Sequence, residues 1–170
     1  MSLDVRPLLR LHEQMQNIEP QKPVENAPST RPDQTVIITR GVVRLFRDLG
    51  LAALTEFKLA NGRRVDVAGL DRRGRLVFAE VKSCRADFDT DQKWPDYLEY
   101  CDQFFFAVDL EFPRALLPTD EGLILADGFG AAIDRDPIDR QMAAARRKAV
   151  TLRFARQAAT RLVHAEINSQ

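Results

Sequence analysis

Three charged residues in neighbouring apolar runs have the types and the spacing of a metal-dependent hydrolytic site. Asp66 lies in one run, and Glu80 and Lys82 lie in the next. Because side chains alternate between the two faces of a strand, Glu80 and Lys82 should project together, with Val81 pointing the opposite way. Acids on two adjacent strands, accompanied by a lysine, can bind a cation and assist a reaction beside it.

The turn between the two runs predicts how they pair. If residues 72–74 form a three-residue hairpin loop with Gly74 in the left-handed conformation, Asp71 pairs with Arg75. Counting back along that register places Asp66 directly opposite Glu80, with Cβ atoms roughly 5 Å apart. Two opposed carboxylates repel each other, and a divalent cation would reverse the sign of that interaction because it binds carboxylate oxygens.

The chemistry predicted for this pair is hydrolysis assisted by Mg²⁺ or Mn²⁺. Asp66 and Glu80 would hold the ion, and the backbone carbonyl of Val81 is a further candidate ligand. A bound water with a lowered pKa would be the nucleophile, and Lys82 would orient it or stabilise the transition state. The pattern is short, and a surface carboxylate pair neutralised by Lys82 is the alternative interpretation.

The elements that would position these residues can be predicted from apolar periodicity and turn signals. A helix covers residues 35–49, and three strands follow at 51–60, 63–70 and 75–82. Next come a helix capped by Asp91, a strand buried on both faces, a hairpin and a long helix, at residues 91–100, 104–108, 123–133 and 139–166. This order indicates an α/β fold of the α+β type, with helices packed against a mixed sheet.

Composition predicts one domain, residues 33–170, after a polar, proline-rich N-terminal tail at residues 1–32. The chain has 25 basic and 25 acidic residues, so nucleic-acid binding would need a local concentration of cations. Cys84 and Cys101 are interpreted as reduced packing residues. There is no membrane-length apolar run and no signal-peptide core, which predicts a cytoplasmic protein.

The C-terminal helix supplies such a local concentration, since seven basic and no acidic residues lie between residues 140 and 161. We expect the DNA backbone to contact five of these cations: Arg146, Arg147, Lys148, Arg153 and Arg156. The alternative is a solvated helix face that pairs with acids elsewhere, such as Glu99, Asp134 or Asp136. The helix also carries an apolar stripe that includes Leu152 and Leu162.

The order of elements and the Asp…Glu-x-Lys pattern together resemble the PD-(D/E)XK nuclease superfamily. A closer resemblance is to the MmcB-like DNA repair family of bacteria, in the run AEVKSCRADFDTDQKWPDYLEYCDQFFFAV. It extends over about residues 36–162, through GLILAD and AARRKAVTLRFARQAATRL. Val65 stands where the superfamily has its eponymous proline.

The resemblance implies a restriction-endonuclease-like core, metal-dependent cleavage of DNA, and repair proteins as further partners. Its acid pair and lysine match Asp66, Glu80 and Lys82. Some members have an additional N-terminal metal-binding acid, for which Glu56 is the candidate, although an ordinary exposed glutamate is the alternative. Some also place Gln-x-x-x-Tyr on the second helix. Lys93 and Tyr97 occupy those two positions here, so we expect both to line the same cleft, with Trp94 packing.

Two other functions remain open at this point. The same fold could serve as a non-catalytic DNA-binding or adaptor module, although such a module has no need to keep Asp66, Glu80 and Lys82 together. An RNA endonuclease is the third alternative, and the sequence lacks the aromatic base-stacking pattern of common RNA-binding modules.

Overall fold

The computed structural model describes residues 34–90 and 93–169, which contain a six-stranded mixed sheet with helices on both faces. The elements in chain order are α1 (Gln34–Asp48), β1 (Ala52–Lys58), β2 (Arg64–Leu70), β3 (Leu76–Val81), α2 (Arg85–Thr90), a 3₁₀ helix (Trp94–Tyr100), β4 (Gln103–Val108), a short 3₁₀ helix (Arg114–Leu116), β5 (Gly122–Ala126), β6 (Ala131–Arg135) and α3 (Ala144–Ile167). The predicted N-terminal tail lies outside the described residues.

The sheet keeps the strands in chain order, from β1 at one edge to β6 at the other. The pairs β1–β2, β2–β3 and β5–β6 are antiparallel, whereas β3–β4 and β4–β5 are parallel. A parallel connection needs a crossover, and the segment with α2 and the first 3₁₀ helix supplies it between β3 and β4. The predicted mixed sheet and its order of elements are confirmed.

The β2–β3 turn has the predicted geometry. Gly74 adopts a φ of +79°, and the Asp71 N–H donates to the Arg75 carbonyl at 3.0 Å. The Asp71 carboxylate also accepts the backbone N–H of Arg73 at 2.7 Å and that of Arg75 at 2.8 Å. This local network starts the predicted register, which continues without a shift to the pair Val67–Ala79.

Each face of the sheet is covered by a different set of helices. The apolar face of α1, with Ile38, Val42 and Phe46, packs on one face of the sheet. On the other face, Phe78 and its neighbours form a core of aromatic rings with the first 3₁₀ helix and α3: Phe57, Phe104, Phe106, Tyr97 and Phe154. Glu80 and Lys82 follow Phe78 in steps of two, which places them on this second face.

The second helix differs from the prediction of one helix over 91–100. The chain forms α2 over Arg85–Thr90 and a separate 3₁₀ helix over Trp94–Tyr100. Pro95 is consistent with the break, because proline has no backbone N–H with which to continue an α-helix from the preceding turn and suits the first positions of a new helix. The predicted cap, Asp91, lies outside the described residues.

The C-terminal helix also departs from the expected packing. The stripe with Leu152 and Leu162 is solvent-exposed, at 56% and 62%, and the buried residues of α3 are Val150 and Phe154. The face towards the sheet also carries polar residues, Arg147, Gln157 and Arg161, which hydrogen-bond to the sheet and its loops. Apolar periodicity therefore identified the wrong face, because part of the true contact is polar.

The described helices include none that is both long enough and apolar enough to cross a membrane.

Candidate metal centre

The candidate site lies where β2 and β3 separate. Their regular pairing ends at Val67–Ala79, one position before the predicted Asp66–Glu80 pair. Beyond that point the Val81 N–H donates to the Asp66 carboxylate, with Oδ2 at 2.8 Å from N. In a continued ladder this Val81 N–H would donate to a backbone carbonyl of β2. Here the Asp66 carboxylate accepts it instead, and this contact holds the carboxylate at the end of β3.

Glu80 and Lys82 occupy the interior of the molecule. Their exposures are 5% and 2%, and Lys82 Nζ lies 3.5 Å from Glu80 Oε1. The Lys82 N–H donates to the Ala107 carbonyl at 2.9 Å, which fixes the backbone beside β4. Glu80 and Lys82 are therefore not on the surface, whereas Asp66 is partly buried. Burying two charges is costly unless other interactions compensate for it, so the charges of Glu80 and Lys82 do not serve solubility alone.

Burial raises the pKa of Asp66 to about 6. The hydrogen bond from the Val81 N–H and the charges of Lys82 and Arg64 lower that pKa, while the charge of Glu56 raises it further. At neutral pH the carboxylate is ionised in an environment that disfavours its charge. A bound cation would relieve that disfavour, and perturbed carboxyl groups of this kind are frequent at functional sites.

Glu56 lies on β1 beside Asp66, between the register pairs Thr55–Val67 and Phe57–Val65. Its φ is +52°, a left-handed conformation that costs a residue with a side chain on the order of 1–3 kcal/mol. Its half-exposed carboxylate forms an ion pair with Arg64, with 2.6 Å between Oε2 and Nε. As an additional ligand, Glu56 would share its carboxylate with Arg64 or give up this ion pair.

Near this position β1 and β2 both change the face of the sheet to which successive side chains point. Val65 belongs to the core on the α3 side, whereas Val67 belongs to the core on the α1 side. Residues two apart in a regular strand share a face, so the backbone rotates between them. The rotation coincides with the left-handed Glu56 and with the end of the β2–β3 ladder, and it is what frees the Asp66 carboxylate from the regular sheet pattern.

The available donors are the carboxylates of Asp66 and Glu80, with the Val81 carbonyl as the further predicted ligand. Within residues 34–90 and 93–169 there is no group of three or more His, Cys, Asp and Glu side chains placed to hold a metal ion. That set does not fit zinc, which takes four ligands rich in nitrogen and sulfur. It does fit Mg²⁺, which keeps several waters and needs only one or two carboxylates.

The two residues predicted on the second helix have different environments. Tyr97 is buried, stacks on Phe104 with ring centroids 6.1 Å apart, and donates from its hydroxyl to the Arg64 carbonyl at 3.1 Å. Lys93 precedes the 3₁₀ helix and is exposed. Tyr97 therefore supports β2 two residues before Asp66. Trp94 packs on Phe104 and Phe106, as expected of a packing residue.

The five cations predicted to contact DNA fall into two groups. Arg147 donates twice to the Asp102 carboxylate, at 2.7 and 2.5 Å, and once to the Gly74 carbonyl at 2.9 Å. Arg146 forms an ion pair with Glu99 at 3.0 Å. This agrees with the alternative interpretation, in which the helix face pairs with acids elsewhere in the chain such as Glu99. The second group is exposed and forms no ion pair with a described acid: Lys148, Arg153 and Arg156.

Sequence reasoning missed Asp102 and Arg161. Asp102 is buried and accepts the Leu76 N–H at 2.7 Å as well as the bonds from Arg147. Arg161 donates to the carbonyls of Thr55 and Glu56, on the strand that borders the site. Both contacts join residues far apart in the chain, and no periodicity or spacing reports such pairs.

The fold and the site together define a class of protein. It is a mixed-sheet domain that places an acid and a Glu-x-Lys pattern where two strands separate. The family model described as DNA repair protein MmcB-like matches residues 22–169. The chain belongs to this family of DNA repair proteins.

Solved structures give two similarities. A protein of unknown function from Silicibacter pomeroyi is 46% identical, with a TM-score of 0.73 over 79% of this chain and 90% of that one. A repair endonuclease from Pyrococcus abyssi is 19% identical, with a TM-score of 0.36 over 61% of this chain and 49% of that one. No curated protein sequence shows significant similarity to the chain.

Proposed function

We propose that the protein is a metal-dependent deoxyribonuclease of the PD-(D/E)XK type that hydrolyses phosphodiester bonds during DNA repair. The observation that carries the proposal is that the partly buried Asp66 and the buried Glu80 and Lys82 lie where β2 and β3 separate. Membership of a DNA repair family supports DNA as the substrate. The proposed ion is Mg²⁺ or Mn²⁺.

In this mechanism Asp66 and Glu80 would hold the ion, and the Val81 carbonyl would add a neutral oxygen ligand. When bound, the ion supplies a Lewis acid that lowers the pKa of a water and neutralises charge on a phosphoryl oxygen. The Val81 N–H keeps the Asp66 carboxylate in place, because that hydrogen bond fixes one oxygen and leaves the other available.

Lys82 has the role of a positioned point charge. It is held beside Glu80 by the Nζ–Oε1 contact and by its backbone bond to Ala107. An ammonium group in a site with little water acts more strongly on a developing negative charge than it would in solution. Lys82 would orient the attacking water or stabilise the pentacoordinate phosphorus of the transition state, and removal of either interaction would slow the chemical step.

The test is cleavage of labelled DNA with Mg²⁺ or Mn²⁺ present. The panel contains nicked, flapped, mismatched and single-stranded DNA and a matched RNA. We expect Asp66→Asn plus Glu80→Gln to abolish cleavage and also Mn²⁺ binding in calorimetry, while Asp48→Asn, which removes an exposed acid on α1, retains both. Equal Mn²⁺ binding by the double variant and the wild type would contradict the assignment.

A second candidate function is a non-catalytic DNA-binding module on the same fold. The observation that favours it is the Lys82–Glu80 ion pair, because the lysine offsets the charge of Glu80 with no ion bound. This function requires DNA binding without cleavage of any substrate in the panel, and the wild-type arm of the same assay separates the two.

A further inference from the structure

The edge of the sheet next to the candidate site is covered by side chains of α3. β1 is the first strand of the sheet, and no strand of the described residues pairs with its outer edge. The Gln157 amide takes the place of one: it accepts the Lys58 N–H at 3.1 Å and donates to the Lys58 carbonyl at 2.8 Å. Arg161 does the same for the carbonyls of Thr55 and Glu56.

A groove of about 580 Å³ runs along this contact. It is lined by the end of β1 and one side of α3: Lys58, Ala149, Leu152, Arg153, Arg156, Gln157, Thr160 and Arg161. Among these residues are four cations, an amide and a hydroxyl, and no acidic or aromatic side chain. Gln157 and Arg161 are engaged with β1, which leaves three exposed cationic heads: Lys58, Arg153 and Arg156.

The charge of the groove is local. The chain as a whole is neutral, yet no described acid forms an ion pair with Lys58, Arg153 or Arg156. By contrast, Arg146 and Arg147, about two turns before Arg153 in α3, are paired with Glu99 and Asp102. Of the five cations predicted to contact DNA, Arg153 and Arg156 therefore lie in the groove, Lys148 is exposed outside its lining, and Arg146 and Arg147 are paired.

We infer that this groove binds the sugar–phosphate backbone of duplex DNA and holds the duplex beside the metal centre. Arg, Lys, Gln and Thr side chains are the usual partners of phosphate oxygens, and such contacts carry no direct sequence information. Sites for single strands add aromatic platforms on which bases stack, and the groove has none. The inference rests on the proposed function, because it takes DNA as the substrate.

The position of the groove suits this role. Lys58 lies two residues from Glu56 along β1, or about 7 Å at the usual rise of a strand. Glu56 faces Asp66 between two register pairs. A backbone bound at Lys58 therefore passes close to Glu56, on the strand that borders the site, and the cations offset the repulsion that the acids of the site exert on phosphate. The inference adds Lys58 to the predicted DNA contacts and removes Arg146 and Arg147.

The test measures binding of a labelled DNA duplex by fluorescence anisotropy, over a range of salt concentrations and without divalent cations so that no cleavage occurs. Lys58→Ala plus Arg156→Ala removes two cations of the groove. We expect the slope of log K against log salt to become shallower by about 1.8, and affinity at 0.1 M salt to fall roughly 50-fold. Duplexes of different sequence should be affected alike.

The matched control is Arg72→Ala plus Arg73→Ala, which removes two exposed cations at the β2–β3 turn and changes the net charge equally. We expect it to leave the slope unchanged. An unchanged slope in the groove variant, an equal loss in both variants, or tighter binding of a single strand than of the duplex would each overturn the inference. Far-ultraviolet circular dichroism confirms that both variants fold.

Cleavage separates this inference from the proposed function. If the wild type binds duplex through the groove but cleaves nothing, the nuclease proposal fails and the groove stands. If cleavage depends on Asp66 while the groove variant has an unchanged KM, the nuclease stands and the groove fails.

Discussion

At both ends of β3 a carboxylate supplies an acceptor for a backbone N–H, but the pKa values of the two carboxylates shift in opposite directions. At each end a carboxylate accepts a backbone N–H of β3: Asp102 takes that of Leu76 at 2.7 Å, and Asp66 takes that of Val81 at 2.8 Å. Burial opposes the ionisation of Asp102, but the bonds from Arg147 and from the Leu76 N–H lower its pKa overall. Burial raises the pKa of Asp66 to about 6.

The difference lies in the cation that each end provides. Arg147 binds both oxygens of Asp102 as a planar fork, which satisfies the carboxylate within the protein. At the other end the nearest buried cation, Lys82, is 3.5 Å from Glu80, and Asp66 receives only a weaker effect of its charge. One end is a completed structural pair. The other end keeps excess negative charge, which an additional cation could neutralise.

The largest effect that this comparison predicts is on stability. Arg147→Ala leaves Asp102 buried without its partner, and the free energy of unfolding should fall by about 3–5 kcal/mol in urea denaturation. The exposed pair offers a control on the same helix, because Arg146→Ala should cost under about 1 kcal/mol. Similar losses in the two variants would show that Asp102 is not held by its fork.

The next effect is on catalysis. Lys82→Met keeps the volume of a fully buried side chain and removes its charge, so we expect cleavage to fall by roughly 10²–10³-fold with Mn²⁺ binding retained. Single-turnover cleavage at saturating DNA measures the chemical step, and calorimetry measures the metal. Activity near that of the wild type would reduce Lys82 to a charge partner of Glu80.

The two aspartates should respond differently to the same substitution. Asp102→Asn gives up charge-assisted hydrogen bonds and should lose about 2 kcal/mol of stability without metal at pH 7.5. Asp66→Asn removes a charge that its surroundings disfavour and keeps an oxygen acceptor for the Val81 N–H, so stability should be unchanged or higher. Equal destabilisation, measured by urea unfolding, would mean that both ends of β3 are structural.

A smaller effect concerns pH. The pKa of Asp66 is about 6 in the folded state against 3.8 for the free group, so between these values the folded protein binds more protons than the unfolded chain. The contribution of Asp66 to metal-free stability therefore decreases as pH rises from about 4 to about 6. Mn²⁺ competes with that proton, so its affinity should rise about tenfold per pH unit up to about 6 and then level off.

Thermal unfolding across this pH range and Mn²⁺ calorimetry at pH 5 and 7.5 test both trends. In Asp66→Asn both the stability and the Mn²⁺ affinity should depend less on pH. A wild-type affinity that does not change with pH would place the ion away from Asp66.

Sequence reasoning succeeded where the cause is local. Gly74 and Asp71 determine the turn within five residues, so counting gives the β2–β3 register as far as Val67–Ala79, one pair short of the predicted Asp66–Glu80 pair. It failed where the cause is tertiary. The burial of Lys82 depends on β4 and on the helices above it, and the fork of Arg147 on Asp102 spans 45 residues.

The long helix illustrates the same limit. Apolar spacing predicted a buried stripe through Leu152, but α3 covers a strand edge, and an edge exposes carbonyls and N–H groups in place of apolar side chains. The contact therefore selects Gln157 and Arg161 for their hydrogen bonds. Periodicity of hydrophobic residues cannot report a packing surface that is partly backbone.

The cover on β1 has a consequence for colloidal behaviour. An open strand edge is a template to which a strand of another molecule can add, and such addition starts aggregation. Gln157 and Arg161 occupy the hydrogen-bonding groups of Lys58, Thr55 and Glu56 that an incoming strand would need. The opposite edge is the five-residue β6, whose Asp134 and Arg135 are charged. The helix beside the site thus also keeps the sheet from growing between molecules.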